Sequence, residues 1–222
     1  MSAAGRTVEV EIDRLSGWVH RFGARHGDLS VDLAADNEAA ERLVITAADG
    51  AGASIAVPYG PLPASSSRDA DALVHALHRH VDRTRTVGVL LVRRGGWAAG
   101  VVHDGRLVSA AVGSGYVQGR TKAGGWSQQR YARRRQQQAQ QVYRRATDGA
   151  VEVLLPHRNT LDALVTGGDR TGVATVLGDP RLGGLAGLVE SRFLAVADPR
   201  RTVLDDVVRR LRTVVVTLDD LA

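Results

Sequence analysis

The sequence predicts an α/β (α+β) fold: a mixed sheet flanked by helices, with a small N-terminal α+β region before it. Three observations carry this reading. Val87-Gly-Val-Leu-Leu-Val92 is a continuous apolar run, as expected of a central strand buried on both faces. Two further strand-like runs, 97–102 and 106–112, follow across a Gly95-Gly96 turn and an Asp104-Gly105 hairpin signal. Beyond residue 128 helical and strand-like segments alternate, which argues for parallel pairing in that half.

Residues 8–26 read as a weakly amphipathic helix, with Ile12, Leu15, Val19 and Phe22 at helical spacing. Short strands are expected at 30–33, 42–47 and 53–57, separated by Asp36-Asn37 and Asp49-Gly50 turn signals. The Pro/Gly/Ser stretch 58–67 ends them. Ser67 or Asp69 then caps a helix that reaches Val81 with Leu73, Leu77 and Val81 on one face.

After the three-strand meander, 128–145 is expected to be helical, with Tyr131, Ala139, Val142 and Ala146 as a narrow apolar stripe. A strand at 151–155, a helix at 160–165 and a strand at 173–177 follow. A helix at 182–188, a strand at 193–196, a helix at 203–211 and a strand at 214–218 complete the chain. An antiparallel meander followed by such alternation is the element order of an RNase H-like layer. The expected division is therefore 1–85, an α+β region and candidate docking element, and 86–222, the RNase H-like layer.

The charge distribution points to a function. The 222-residue chain has 29 basic and 24 acidic residues. Between Gly105 and Thr147 there is no acid, and nine of the basic residues lie there: Arg106, Arg120, Lys122, Arg130, Arg133, Arg134, Arg135, Arg144 and Arg145. The remainder of the chain is thus net acidic, 20 basic against 24 acidic. A basic stretch this local is the footprint of a polyanion contact. Within it Gly113, Gly115, Gly119, Gly124 and Gly125 suggest backbone with positive φ that comes close to a ligand. Trp126 among them suits base stacking.

Other chemistries fit less well. The chain has no cysteine, so disulfide scaffolds and thiolate metal sites are excluded. Neither a dinucleotide fingerprint nor a phosphate loop with Gly-Lys-Ser/Thr is present. His75-x-x-His78 lacks the glutamate of a metalloprotease and reads as surface histidines. A metal-dependent nuclease needs converging carboxylates, and only Asp104, Glu152 and Asp179 are candidates. The helix at 203–211 carries an ordinary charged face, and the Gln136–Gln141 run a solvated one. Neither a signal peptide nor a transmembrane helix is expected, which suits a cytoplasmic monomer without cofactor or membrane contact.

Gly124-Gly125-Trp126-Ser127-Gln128, preceded by Arg120-Thr-Lys122 and followed by Gln129-Arg130-Tyr-Ala-Arg-Arg-Arg135, resembles the active loop of the Vms-one-like release factors, in particular their actinobacterial branch. These are relatives of the catalytic middle domain of archaeal and eukaryotic class-one peptide-chain release factors. That domain carries a Gly-Gly-Gln loop on an RNase H-like layer, after a strand and before a long helix. The match spans about residues 113–135, and the strand order from Val87 onward is compatible with it.

The resemblance implies peptidyl-tRNA hydrolysis on the large ribosomal subunit, with rRNA and peptidyl-tRNA as partners. Gln128, with Gly124 and Gly125, takes the catalytic position, and the adjacent Gln129 is the alternative. Arg120, Lys122, Trp126, Ser127, Arg130, Arg133, Arg134 and Arg135 become contacts to rRNA or tRNA. The chain departs from the family pattern in placing both Trp126 and Ser127 between the glycine pair and the glutamine. It lacks the cysteine/histidine zinc finger of eukaryotic relatives and is too short for a codon-reading domain, which favours rescue of stalled nascent chains over stop-codon recognition. A non-catalytic rRNA-binding protein is the alternative from a different class.

Overall fold

The computed structural model describes residues 5–35, 41–63, 69–115 and 126–222, with backbone alone at 126–132 and 135. The described residues form two compact units. One comprises residues up to Arg83 together with Arg209–Ala222, and the other is Thr84–Val208.

The first unit is a five-stranded antiparallel sheet covered by two helices. Its strands are β1 (Arg6–Glu11), β2 (Leu29–Ala35), β3 (Glu41–Ala47) and β4 (Gly52–Ala56), and its helices α1 (Ile12–His26) and α2 (Ala70–Val81). The expected helix over 8–26 is therefore corrected at its start. Thr7-Val-Glu-Val-Glu11 alternates with period two, and it pairs along its whole length with Thr213–Leu218. A helix forms only from Ile12, where Ile12, Leu15, Val19 and Phe22 bury one face. Asp69 caps α2 by accepting from the Ala72 backbone N–H at 3.0 Å. Leu73, Leu77 and Val81 join α1 in one core. Of the expected turn signals, Asp36-Asn37 lies outside the described residues, whereas Gly50 takes a φ of 92°.

The second unit holds β5 (Thr86–Arg93), β6 (Gly96–His103), β7 (Arg106–Ser114), α3 (Trp126–Leu154), β8 (Ala163–Gly168), α4 (Arg170–Leu177), β9 (Val189–Leu194) and α5 (Arg201–Arg210). The sheet order is β7-β6-β5-β8-β9. The meander pairs antiparallel, while β5, β8 and β9 run parallel, which is the RNase H-like arrangement. The Asp104-Gly105 turn has both residues at positive φ, 49° and 69°, as a tight two-residue hairpin requires. One face of the sheet carries α3 and α4 over a core that includes Leu90, Val92, Trp97, Tyr143 and Val176. On the other face Leu204 of α5 packs where Gly100 leaves room.

Three expected elements in this half are corrected. The run 151–155 is the end of α3 rather than a strand: Val142, Tyr143, Ala146, Ala150, Val153 and Leu154 share one buried helical face. The expected helix at 160–165 gives way to β8, which begins at Ala163 and pairs parallel with β5 from Val87. The expected strand at 173–177 lies inside α4, whose N-cap Asp169 accepts from the Thr171 N–H. The strand expected at 193–196 starts earlier, at Val189, and ends at Leu194. Residues 180–188 are a 3₁₀ helix capped by Asp179.

The last strand, β10 (Thr213–Leu218), corrects the expected unit of 86–222 at its C-terminal end. It leaves the second sheet and inserts between β1 and β4 of the first. Arg210 anchors this return by reaching Glu9 at 2.6 Å, and Arg212 pairs with Asp82 at 2.7 Å.

Candidate functional site

β7 and α3 flank the basic stretch, and their sequences explain how they hold it. At the root, the Gly115 N–H donates to the Gly95 carbonyl at 3.1 Å. A Cβ on Gly115 would collide with Val142 of α3, and one on Gly113 would collide with the indole of Trp97. A Cβ on Gly149 of α3 would run into the far edge of the same ring. Trp97 is only 8% exposed, clasped between the end of β7 and the middle of α3. Neither Gly113 nor Gly115 has a positive φ, so their expected role is corrected: glycine is required there because Trp97 and Val142 come close, not because the backbone turns. Gly119, Gly124 and Gly125 lie outside the described residues.

α3 runs for 29 residues. Val142 marks the level of the sheet edge, because it touches Gly115 just past the end of β7. Trp126 begins the helix 16 positions earlier. At 1.5 Å per residue its start lies about 24 Å from Val142 along the helix axis. Ala139 is the first buried residue along α3 among those described. From Ala139 the helix continues out to Trp126 as an arm, with Gln128 and Gln129 in its first turn.

Among the predicted contact residues, Trp126, Ser127, Gln128, Gln129 and Arg130 start this arm as backbone, and Arg135 continues it. Arg133 and Arg134 are exposed on it. Arg120, Lys122, Gly124 and Gly125 lie outside the described residues. The structure adds an exposed face that runs Arg133, Gln136, Gln137, Gln140, Gln141, Arg144 at helical spacing, opposite the buried side.

Lower down, α3 is tied to the sheet by polar contacts. The buried Tyr143 hydroxyl donates to Asp169 Oδ2 at 3.3 Å. Burial, and then the Asp169 carboxylate, push this hydroxyl above the usual tyrosine range. Asp148, the first acid after the basic stretch, accepts from Arg181 Nη2 at 3.1 Å. Arg181 also bonds Asp179 at 2.9 Å, which holds that carboxyl below its usual range. Asp179 is thus occupied structurally.

The nuclease chemistry has no structural counterpart: among the described residues no group of three or more His, Asp or Glu could hold a metal ion. His78 Nε2 instead lies 3.1 Å from Asp13 Oδ1. No helix among the described residues is long and apolar enough to cross a membrane.

The second unit is thus a mixed layer whose longest helix begins in the basic stretch. The chain belongs to the family described as Actinobacteria/chloroflexi VLRF1 release factor (acVLRF1), whose profile matches residues 85–217. No curated protein matches the chain. Among solved structures it is similar to an archaeal translation termination factor, aRF1, at 13% identity and a TM-score of 0.43 over 78% of this chain and 50% of that one. Saccharomyces cerevisiae Dom34, a translation termination-like factor in RNA quality control, is 6% identical with a TM-score of 0.36, over 93% of this chain and 64% of that one. Archaeoglobus fulgidus Pelota is 12% identical with a TM-score of 0.30, over 95% and 63%. The chain thus spans about half the length of aRF1.

Proposed function

We propose that this protein is a peptidyl-tRNA hydrolase that releases nascent peptide on stalled large ribosomal subunits. The observation that carries the reading is the long arm: a basic helix whose first turn holds Gln128 and whose start lies about 24 Å from Val142 along its axis. In a layer of a release-factor family, such an arm suits delivery of a loop into a narrow RNA-lined site. The reaction breaks the bond between the peptide carbonyl carbon and the ribose oxygen. Water supplies hydroxide to the carbonyl and a proton to the ribose.

An ester is already activated, so placing the water supplies much of the acceleration. The Gln128 amide has no useful pKa. It orients the water, and a backbone N–H stabilises the developing oxyanion. The arginines bind phosphate and set affinity rather than sequence preference. In this reading the first unit serves as a docking element.

The test is release of labelled peptide from purified large subunits that carry peptidyl-tRNA. Gln128→Ala is expected to lose about 100-fold or more in rate while still binding the subunit. Gln129→Ala should retain most of the release, and equal activity of the two variants would refute the Gln128 mechanism. The exposed Arg/Gln face of α3 favours one other reading, a non-catalytic rRNA-binding protein. Co-sedimentation with ribosomes without ester cleavage by the wild type would establish it.

A further inference from the structure

The arm rises from a sheet edge that is itself basic. Arg93 pairs with Gly96, Gly96 with Ser114, and Val92 with Gly168, so β5, β7 and β8 all end at this edge. The Arg94-Gly95 turn sits there, and Gly95 accepts the N–H of Gly115 at the arm's root. At Gly168 the chain turns with a φ of 99°, and a Cβ there would collide with the Val92 carbonyl. This sharp turn puts Asp169 and Arg170 at the same edge. A depression is lined there by Arg93, Arg94, Gly168, Asp169, Arg170 and Asp198.

The three arginines have different tasks. Arg93 is held in place: its Nη1 donates to the Val196 carbonyl at 2.6 Å, and its Nε lies 3.4 Å from Asp198. The Arg170 guanidinium lies over the ring of Phe193, 4.3 Å from its centroid. Such stacking fixes the plane and leaves the N–H edge available to an oxyanion. The Arg94 side chain is 71% exposed, and Asp169 Oδ2 is 3.9 Å from its Nε. That carboxylate is already engaged by the Thr171 N–H at 3.0 Å and by the Tyr143 hydroxyl. An exposed pair this long contributes about 0–1 kcal/mol, so stability does not account for the cluster.

We infer that Arg94 and Arg170, steadied by Arg93, form a phosphate-binding site at the foot of the arm for the sugar–phosphate backbone of RNA. The inference rests on the ribosome-directed reading above and adds a second point of contact to it. A stacked strand advances about 3.4 Å per nucleotide, so a backbone met by the tip reaches the foot after about seven nucleotides. The RNA is either ribosomal or transfer RNA, and the chemistry is the same for both.

The experiment measures binding of the full chain to large subunits across a salt series, for the wild type, the double variant R94Q/R170Q and its charge-preserving counterpart R94K/R170K. On vacant subunits the double variant should bind about tenfold more weakly, with a log–log salt slope shallower by about 1 to 2. The lysine pair should restore most of the slope. A loss seen only on subunits that carry peptidyl-tRNA assigns the phosphates to tRNA. Slope and affinity within twofold of wild type on both kinds of subunit overturn the site. Gln128→Ala run alongside should keep the full slope, which separates this contact from the chemistry. If the wild type binds no subunit, an RNA duplex serves as the second probe: a slope lost in the double variant keeps the site while the ribosomal reading falls, and no binding overturns both.

Discussion

From Ala139 to Leu154, α3 buries side chains in every turn; from Arg133 to Gln138 no described side chain is buried. The inner half is held by tertiary packing: Trp97 fits against Gly149, Tyr143 reaches Asp169, and Arg181 bridges Asp148 and Asp179. The described side chains at Arg133, Arg134, Gln136 and Gln137 are exposed, and the Arg, Gln and Ala residues of the outer half are good helix formers. One continuous helix thus combines an anchor that cannot tolerate added volume with an arm whose sequence is free to serve charge and contact.

Substitutions in the two halves should therefore fail in different assays. The largest stability loss is expected for Trp97→Ala, about 3–5 kcal/mol by denaturant unfolding, because the ring fills the space between β7 and α3. A wild-type-like midpoint would show that the clasp contributes nothing. Gly149→Ala comes next: the added methyl meets the same ring, and about 1–3 kcal/mol should be lost. Tyr143→Phe should lose about 1 kcal/mol at neutral pH through the hydrogen bond to Asp169.

Tyr143 also sets a pH dependence. Its hydroxyl is raised in the folded state, so its contribution is complete below the ordinary tyrosine value of about 10 and is lost as pH rises from there toward the folded value. Thermal melts of Tyr143→Phe should consequently decline less between neutral and strongly alkaline pH than those of the wild type. The smallest stability effect is expected for Gln137→Pro. It removes a hydrogen bond within a stretch where Arg133, Arg134, Gln136 and Gln137 are exposed. Its melting temperature should stay within about 2 °C of wild type, while peptide release falls at least tenfold because the arm is broken. A large drop in melting temperature would mean that the arm is coupled to the core.

Much of the second sheet was legible because its signals are local. The apolar run 87–92 and the Asp104-Gly105 turn predict the meander, and the structure keeps both. The runs 151–155 and 173–177 misled because short apolar segments do not distinguish a buried helix face from a buried strand. Gly149, inside α3, is the place where a tryptophan enters. The alternation in 7–11 was present but merged into the helical pattern that begins at Ile12. The basic stretch and its glutamine pair were legible from residue type alone. Arg94 and Arg170 were not, since 76 positions of sequence separate two groups that share a depression.

By itself the sequence determined the mixed meander-first layer and the concentration of net positive charge in 105–147. Each depends on composition and spacing within a few tens of residues. Tertiary structure alone decided that β10 returns to the first sheet, that Gly113 and Gly149 are shaped around Trp97, and that α3 runs unbroken from Trp126 to Leu154. Those outcomes depend on which surfaces meet across long stretches of chain, and strand pairing and side-chain volume act on such contacts only once the chain has closed on itself.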